Sequence, residues 1–283
     1  MAASHRGSQM SYRFISVVSA TAFMLAASGG AFAADITVKA PTPAPAFNWA
    51  GVYAGIALGG KRADTTWTTT SIGLPGIPAV VDSSSPRNYD PSAFRYGGYA
   101  GYNWQVAPQW LLGVEADLAG ANGSSTAAGI PGCAIGCIGL ARGPGVDTAS
   151  VKMRWDASVR ARVGHLISPD LLAYATGGIA WQNVQASATC QHSLADPLCV
   201  FMPGTPFATA TNNTTLTGWT IGGGLEYRVY GNWLLRGEYR YSDFGTRTGD
   251  VLNLGLPGGL PTILTHNLKV NTHIATAGIG FKF

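Results

Sequence analysis

NTHIATAGIGFKF, residues Asn271 to Phe283, has two unlike faces when read as a strand. Phe283, Phe281, Ile279, Ala277 and Ala275 fall on one side. Lys282, Gly280, Gly278, Thr276 and Thr272 fall on the other, where Ile274 is the one apolar intruder. A period of two belongs to a β-strand, whose successive side chains point to opposite faces. A strand greasy on one face, small or polar on the other, and ending on an aromatic suits the closing strand of a transmembrane β-barrel. There it pairs back onto the first strand and leaves no edge in lipid. The reading requires an even number of similar strands, joined by alternating long and short connections.

The rest of the chain supplies them. Strands are expected at 49–60, 93–105, 109–120, 151–166, 171–188, 215–229 and 233–245, before the closing one. The clearest is 151–166. Met153, Trp155, Ala157, Val159, Ala161 and Val163 lie on one face, against Arg154, Asp156, Ser158, Arg160, Arg162 and Gly164 on the other. A helix would scatter those arginines around its circumference. Long polar stretches at 61–92, 121–150, 189–214 and 246–266 alternate with short turns near Pro108, Pro169 and Gly231. The fold expected is therefore all-β: an eight-stranded antiparallel up-and-down transmembrane barrel with long extracellular loops and short periplasmic turns. Aromatics mark both interfaces, with Trp49, Trp104, Trp110, Trp233 and Phe283 at the turn side and Trp155, Trp181, Trp219 and Phe244 at the loop side.

Composition agrees. The 283 residues include 38 Gly, 8 Trp, 11 Tyr and 10 Phe, yet only 11% are charged. After the first 33 residues no segment approaches the unbroken apolar run of a membrane helix. Residues 1–33 read as a secretory signal: Arg13, an apolar run from Phe14 to Ala27, and Ala31-Phe32-Ala33 as cleavage site, with Met10 as the expected start. Residues 34–48, with Pro41, Pro43 and Pro45, form a stiff periplasmic lead-in, and 49–283 the barrel. Without Arg6 and Arg13 the net charge falls from +4 to +2, which gives no reason to expect a nucleic-acid partner.

With the aliphatic faces in lipid, the charges point inward. Arg95, Arg154, Arg160, Arg162, Arg228, Arg236 and Arg240 would share the lumen with Glu115, Asp117, Asp156, Glu226 and Glu238. An eight-stranded barrel is just wide enough inside for its own side chains. A salt-bridged filling is thus the first reading and a narrow ion path the second. Cys133, Cys137, Cys190 and Cys199 fall in two of the long loops of an exported chain. Loop-local disulfides, Cys133–Cys137 and Cys190–Cys199, are expected, though four cysteines allow three connectivities. A four-cysteine metal site is the sharper alternative, but the spacing is not a usual zinc one. His192 and His266 are placed in loops, where a pairing with Asp250 is the nearest thing to a catalytic arrangement. No enzyme activity, metal or cofactor is expected. The loops are the functional surface to look to.

Ala31-Phe32-Ala33, the following ADITVKAP, FNWAGVYAGIALGG near the start and GIGFKF at the end together resemble the small outer-membrane immunogenic proteins of alphaproteobacteria. That is a porin-family, OmpA-like or opacity-like group. The resemblance covers nearly the whole chain after residue 33. It implies an eight-stranded barrel in the bacterial outer membrane, among lipid and lipopolysaccharide. It also implies a terminal aromatic signal, Phe281 and Phe283, read by the barrel-assembly machinery. The function expected is a structural surface protein whose loops bind an unknown extracellular ligand. The runner-up is a narrow porin for small solutes. Some members are implicated in haem binding, for which His192 and His266 would be the candidates here.

Overall fold

The computed structural model describes residues 47–74, 77–78, 81–133, 136–137, 140–141, 147–191, 207–255 and 261–283. The signal reading of residues 1–33 and most of the Pro-rich lead-in lie outside them. Eight long strands form the ring: β1 (Gly51–Leu74), β2 (Ser92–Ala107), β3 (Trp110–Ala128), β4 (Thr148–Ser168), β5 (Leu171–Gln191), β6 (Phe207–Tyr230), β7 (Trp233–Gly255) and β8 (Pro261–Lys282). Each pairs antiparallel with its neighbour in sequence, and β8 closes onto β1 from Tyr53 opposite Lys282 up to Gly73 opposite Ile263. Two-residue turns at 108–109, 169–170 and 231–232 join β2–β3, β4–β5 and β6–β7. Short strands Ile77–Pro78 and Arg87–Tyr89 pair with β1 inside the first long connection.

The period of two persists around the ring. Val52, Ile56, Phe94, Trp104, Leu112, Val114, Leu118, Val159, Ile179, Ile221, Leu225, Leu235 and Ile279 are exposed on the outer wall. Ile274 is buried inside, as its parity required. Exposed Trp104, Trp110 and Trp233 mark the turn-side edge of this band, and Trp155 and Trp219 mark the loop-side edge. From Trp233 to Tyr241 is about 8 residues of β7, which at ~3.3 Å per residue is about 26 Å along the strand and, for a strand tilted by about 40°, about 20 Å of depth, most of the ~25 Å of a lipid-facing band.

The strands run well past that band. β1 has 24 residues and β8 has 22, whereas a tilted membrane strand needs about 9–11. The stretch TTWTTTS, residues 65–71, is therefore not loop but the upper half of β1, with Trp67 buried inside. His266 likewise belongs to strand β8 rather than to a loop.

Two aromatics leave the belts assigned to them. Trp49 precedes β1 and is buried against Leu111, Leu172 and Leu234 in the turn-side mouth, its Nε1 donating to Pro169 O at 3.0 Å. Phe244 turns inward and joins an apolar cluster at the loop side with Val151, Met153, Val184, Leu216, Leu264 and Leu268. Met153 had been expected to face lipid. The register of β4 against β5 shifts between Met153 and Asp156, so β4 carries an extra residue there. A β-bulge inverts which parity points inward: Val151 and Met153 are buried above it, Asp156 and Ser158 below it.

Candidate functional site

Between the two apolar layers lies the charged one. Inward parity along β1, β2, β3, β4, β6 and β7 delivers Lys61, Arg95, Arg160, Arg162, Arg236 and Arg240 to the same slice as Glu115, Asp117, Asp156, Glu226 and Glu238. Glu115 is the hub. Arg236 Nη1 and Nη2 donate to its two oxygens at 2.7 and 2.8 Å, Arg160 donates to Oε1, and the Tyr53 hydroxyl donates to Oε2 at 2.9 Å. Arg162 donates to Glu226 at 2.6 Å and to the Tyr53 hydroxyl at 3.1 Å. Arg160 and Arg236 both reach Glu238, which also accepts from the Tyr174 hydroxyl at 2.9 Å.

One storey up, Asp156 accepts from Arg95 at 2.7 Å and from Lys61 at 2.8 Å, while Asp117 accepts from Arg240 at 2.7 Å, from Arg95 and from the Ser158 hydroxyl. Guanidinium planes also lie over rings, Arg162 over Tyr174 at 3.9 Å and Arg236 over Tyr99 at 4.3 Å. Planar guanidinium suits such simultaneous pairing and stacking better than ammonium does. Glycines make room for the rings. A Cβ on Gly101 would stand 2.4 Å from the Tyr53 hydroxyl, and one on Gly55 would stand 2.5 Å from Tyr99.

Of the twelve charged residues expected in the lumen, ten meet in this layer. Arg154 does not: it sits in the extra-residue segment of β4 and is exposed on the outer wall beside Trp155. Arg228 faces inward but lies at the turn-side mouth, where it pairs with Asp170 at 2.5 Å and covers the Phe47 ring at 5.0 Å. Sequence reasoning missed Lys61, Tyr53, Tyr99, Tyr174 and Gln182, whose Oε1 accepts from Lys61. Parity was the available signal, since Tyr53, Ala57 and Lys61 share one face of β1. Cys133 is buried and disulfide-bonded. The side chains of Cys137 and Cys190, and Cys199 and His192 entirely, lie outside the described residues, and the expected pairings with them. Phe281 packs edge-on against Trp233 at 5.2 Å and against Phe283 at 5.3 Å on the outer turn-side wall.

Above the charged layer the His266 imidazole stacks on Trp67 with ring centres 4.5 Å apart. Its Nδ1 and the Trp67 Nε1 are buried without hydrogen-bond partners. Burial pushes His266 from 6.5 down to about 4, outweighing Asp250 and the Gly249 backbone, which raise it. A histidine depressed in the fold binds its proton more readily when unfolded. Its contribution to stability is thus present above pH 6.5, is lost as pH falls from there through 4, and changes no further below. Corrected hydrogen-exchange protection of the amides of residues 264–270 should drop across that window in the parent and stay flat in His266→Gln. An equal drop in the variant would assign the effect elsewhere.

Comparison with known proteins agrees with this architecture. Residues 19–283 match the family model described as the outer membrane protein beta-barrel domain. The 31 kDa outer-membrane immunogenic protein of Brucella melitensis is 32% identical over 279 residues, 94% of this chain and 98% of that protein. The 25 kDa outer-membrane immunogenic protein of Brucella abortus is 30% identical, over 95% of this chain and 98% of its own. Among solved structures, OprG from Pseudomonas aeruginosa is similar with a TM-score of 0.47 and 16% identity, over 83% of this chain and 96% of that one. The chain belongs to the outer membrane protein beta-barrel family, with the alphaproteobacterial outer-membrane immunogenic proteins, and is an eight-stranded barrel of the bacterial outer membrane.

Proposed function

We propose that this barrel is a non-conducting, non-enzymatic surface protein, a rigid frame whose long extracellular connections carry its binding. The observation that supports a closed lumen is the pairing of the central layer. Each of its six cationic side chains lies within a hydrogen bond of one of its five carboxylates, and none of the eleven side chains is more than 8% exposed. An open ion path would need at least some of these groups to face water. The apolar plug of Trp49, Leu111, Leu172 and Leu234 lies below that layer, and the larger apolar cluster lies above it. The names of the Brucella relatives, outer-membrane immunogenic proteins, support a surface-exposed role.

The test is single-channel recording of the refolded protein in a planar lipid bilayer, with folding shown in parallel by the heat-dependent shift in gel mobility. The expected result is silence from folded protein. Reproducible conductance steps would replace this reading by a narrow porin.

A further inference from the structure

The bulge in β4 does more than seat Met153 inside. Unshifted parity would send Arg154 into the lumen beside Asp156. The extra residue turns it out instead, so that Lys152, Arg154 and Trp155 are all exposed on one short stretch of outer wall. The ladder on the other side shifts at the same height, between Gly120 and Gly123 of β3, which leaves Asn122 exposed next to Arg154. Bulges re-aim side chains at functional surfaces, and the side chain re-aimed here is a cation. Neither the Lys152 nor the Arg154 side chain has a hydrogen bond or ion pair among the described residues.

The wall around them carries no opposing charge. No Asp or Glu occurs in residues 119–128 of β3, 148–155 of β4, 181–191 of β5 or 207–219 of β6. Lys152 lies in a ladder row that runs across four strands, Ser124–Lys152–Gln185–Asn213. The next outward row toward the loops, Thr126–Ser150–Ser187–Thr211, is hydroxyl throughout, and no member of either row is buried. Just below stands interfacial Trp155. The other exposed cations described on the upper wall are placed differently. Arg62 meets Asp64 and Asp90 at 3.4 and 3.6 Å, and Arg247 and Lys269 share the β7–β8 side with Asp243 and Asp250.

We propose that the outer face of β3 to β6 binds one phosphorylated glycolipid of the outer leaflet. Lys152 and Arg154 hold its phosphate at the height of Trp155, its acyl chains lie along the lipid-facing wall below, and its sugars rest on the two polar rows above. Free cations at a membrane interface draw anionic headgroups, and guanidinium matches phosphate in geometry as well as charge. Sugar hydroxyls both donate and accept, as do the hydroxyls and amides of the two rows. A glycerophospholipid would satisfy the two cations and leave the rows unused. The site draws on neither the lumen nor the long connections, so it stands or falls apart from the closed-lumen reading.

The test is native mass spectrometry of the full refolded barrel, released from detergent micelles that hold a small fraction of short-core lipopolysaccharide and an equal amount of phosphatidylglycerol. The parent should retain one lipopolysaccharide in preference to phosphatidylglycerol. Affinity should fall roughly tenfold in Lys152→Ala and again in Arg154→Ala, each losing one charge-assisted contact, and should stay at the parent's value in Arg62→Ala. Ser150→Val combined with Ser187→Val keeps the strands and removes two hydroxyls of the upper row. It should weaken lipopolysaccharide binding severalfold and leave phosphatidylglycerol unchanged. Should a cation variant fail to refold, raising the ammonium acetate concentration on the parent screens the same contacts and should release the glycolipid. Equal retention of phosphatidylglycerol by the parent, binding unchanged in both cation variants, or binding indifferent to salt overturns the proposal.

Discussion

Glu115→Ala is expected to lower the unfolding free energy of the barrel by about 3–5 kcal/mol, the cost of leaving buried charges without their partner. Among the five carboxylates of the central layer it is the most deeply buried. Its side chain is 0% exposed, it accepts both prongs of Arg236, and it holds Arg160 and the Tyr53 hydroxyl as well. Removing it sets Arg160, Arg162 and Arg236 against one another, with Glu226 and Glu238 to share and Asp117 3.7 Å from Arg160. The measurement is urea unfolding from lipid vesicles, followed by tryptophan fluorescence. A second variant separates lost charge from lost packing. Glu115→Leu combined with Arg236→Met removes one charge of each sign and should recover most of the loss, since an apolar pair of similar volume often replaces a buried ion pair without penalty. A Glu115→Ala midpoint equal to the parent's would mean that water reaches the layer, and the closed-lumen reading would go with it.

Much of this was legible in the chain, because lipid imposes a strict period of two. Glu115 and Asp117 against Leu112, Val114 and Leu118 can be sorted by parity alone, and the structure seats them as sorted. The reading fails in two physically distinct ways. At Arg154 one inserted residue reverses the parity of β4 with no signature in residue type, because a bulge is a matter of pairing and not of composition. Above the band, water replaces lipid on the outer face, and the contrast that reveals a membrane strand is lost. In β1 the inward Ala63, Thr65, Trp67 and Thr69 alternate with Asp64, Thr66 and Thr68, so both faces look polar and the segment reads as loop. Lys61 was overlooked, and His266 was placed in a loop, for that reason.

Val159→Arg is expected to cost roughly 2–4 kcal/mol, the penalty of a cation on the lipid face near the bilayer midplane. Val159 is 52% exposed on the outer wall of β4, with Trp155 toward one interface and Val163 and His165 toward the other. Its neighbours across the ladders are Ala116 on β3 and Ile179 on β5, so no inward rotation could bring a guanidinium to a carboxylate. Arg154, on the same strand and the same wall, is the natural control. It stands beside interfacial Trp155, where the cost of a cation falls to about 0–1 kcal/mol. Arg154→Val should therefore leave the unfolding midpoint in vesicles nearly unchanged, while Val159→Arg lowers it. A neutral Val159→Arg would put position 159 in water, and the lipid-facing band would have to be moved along the strands. A large effect at both positions would instead place Arg154 within the lipid, and the bulge at Met153–Asp156 would no longer mark the outer interface.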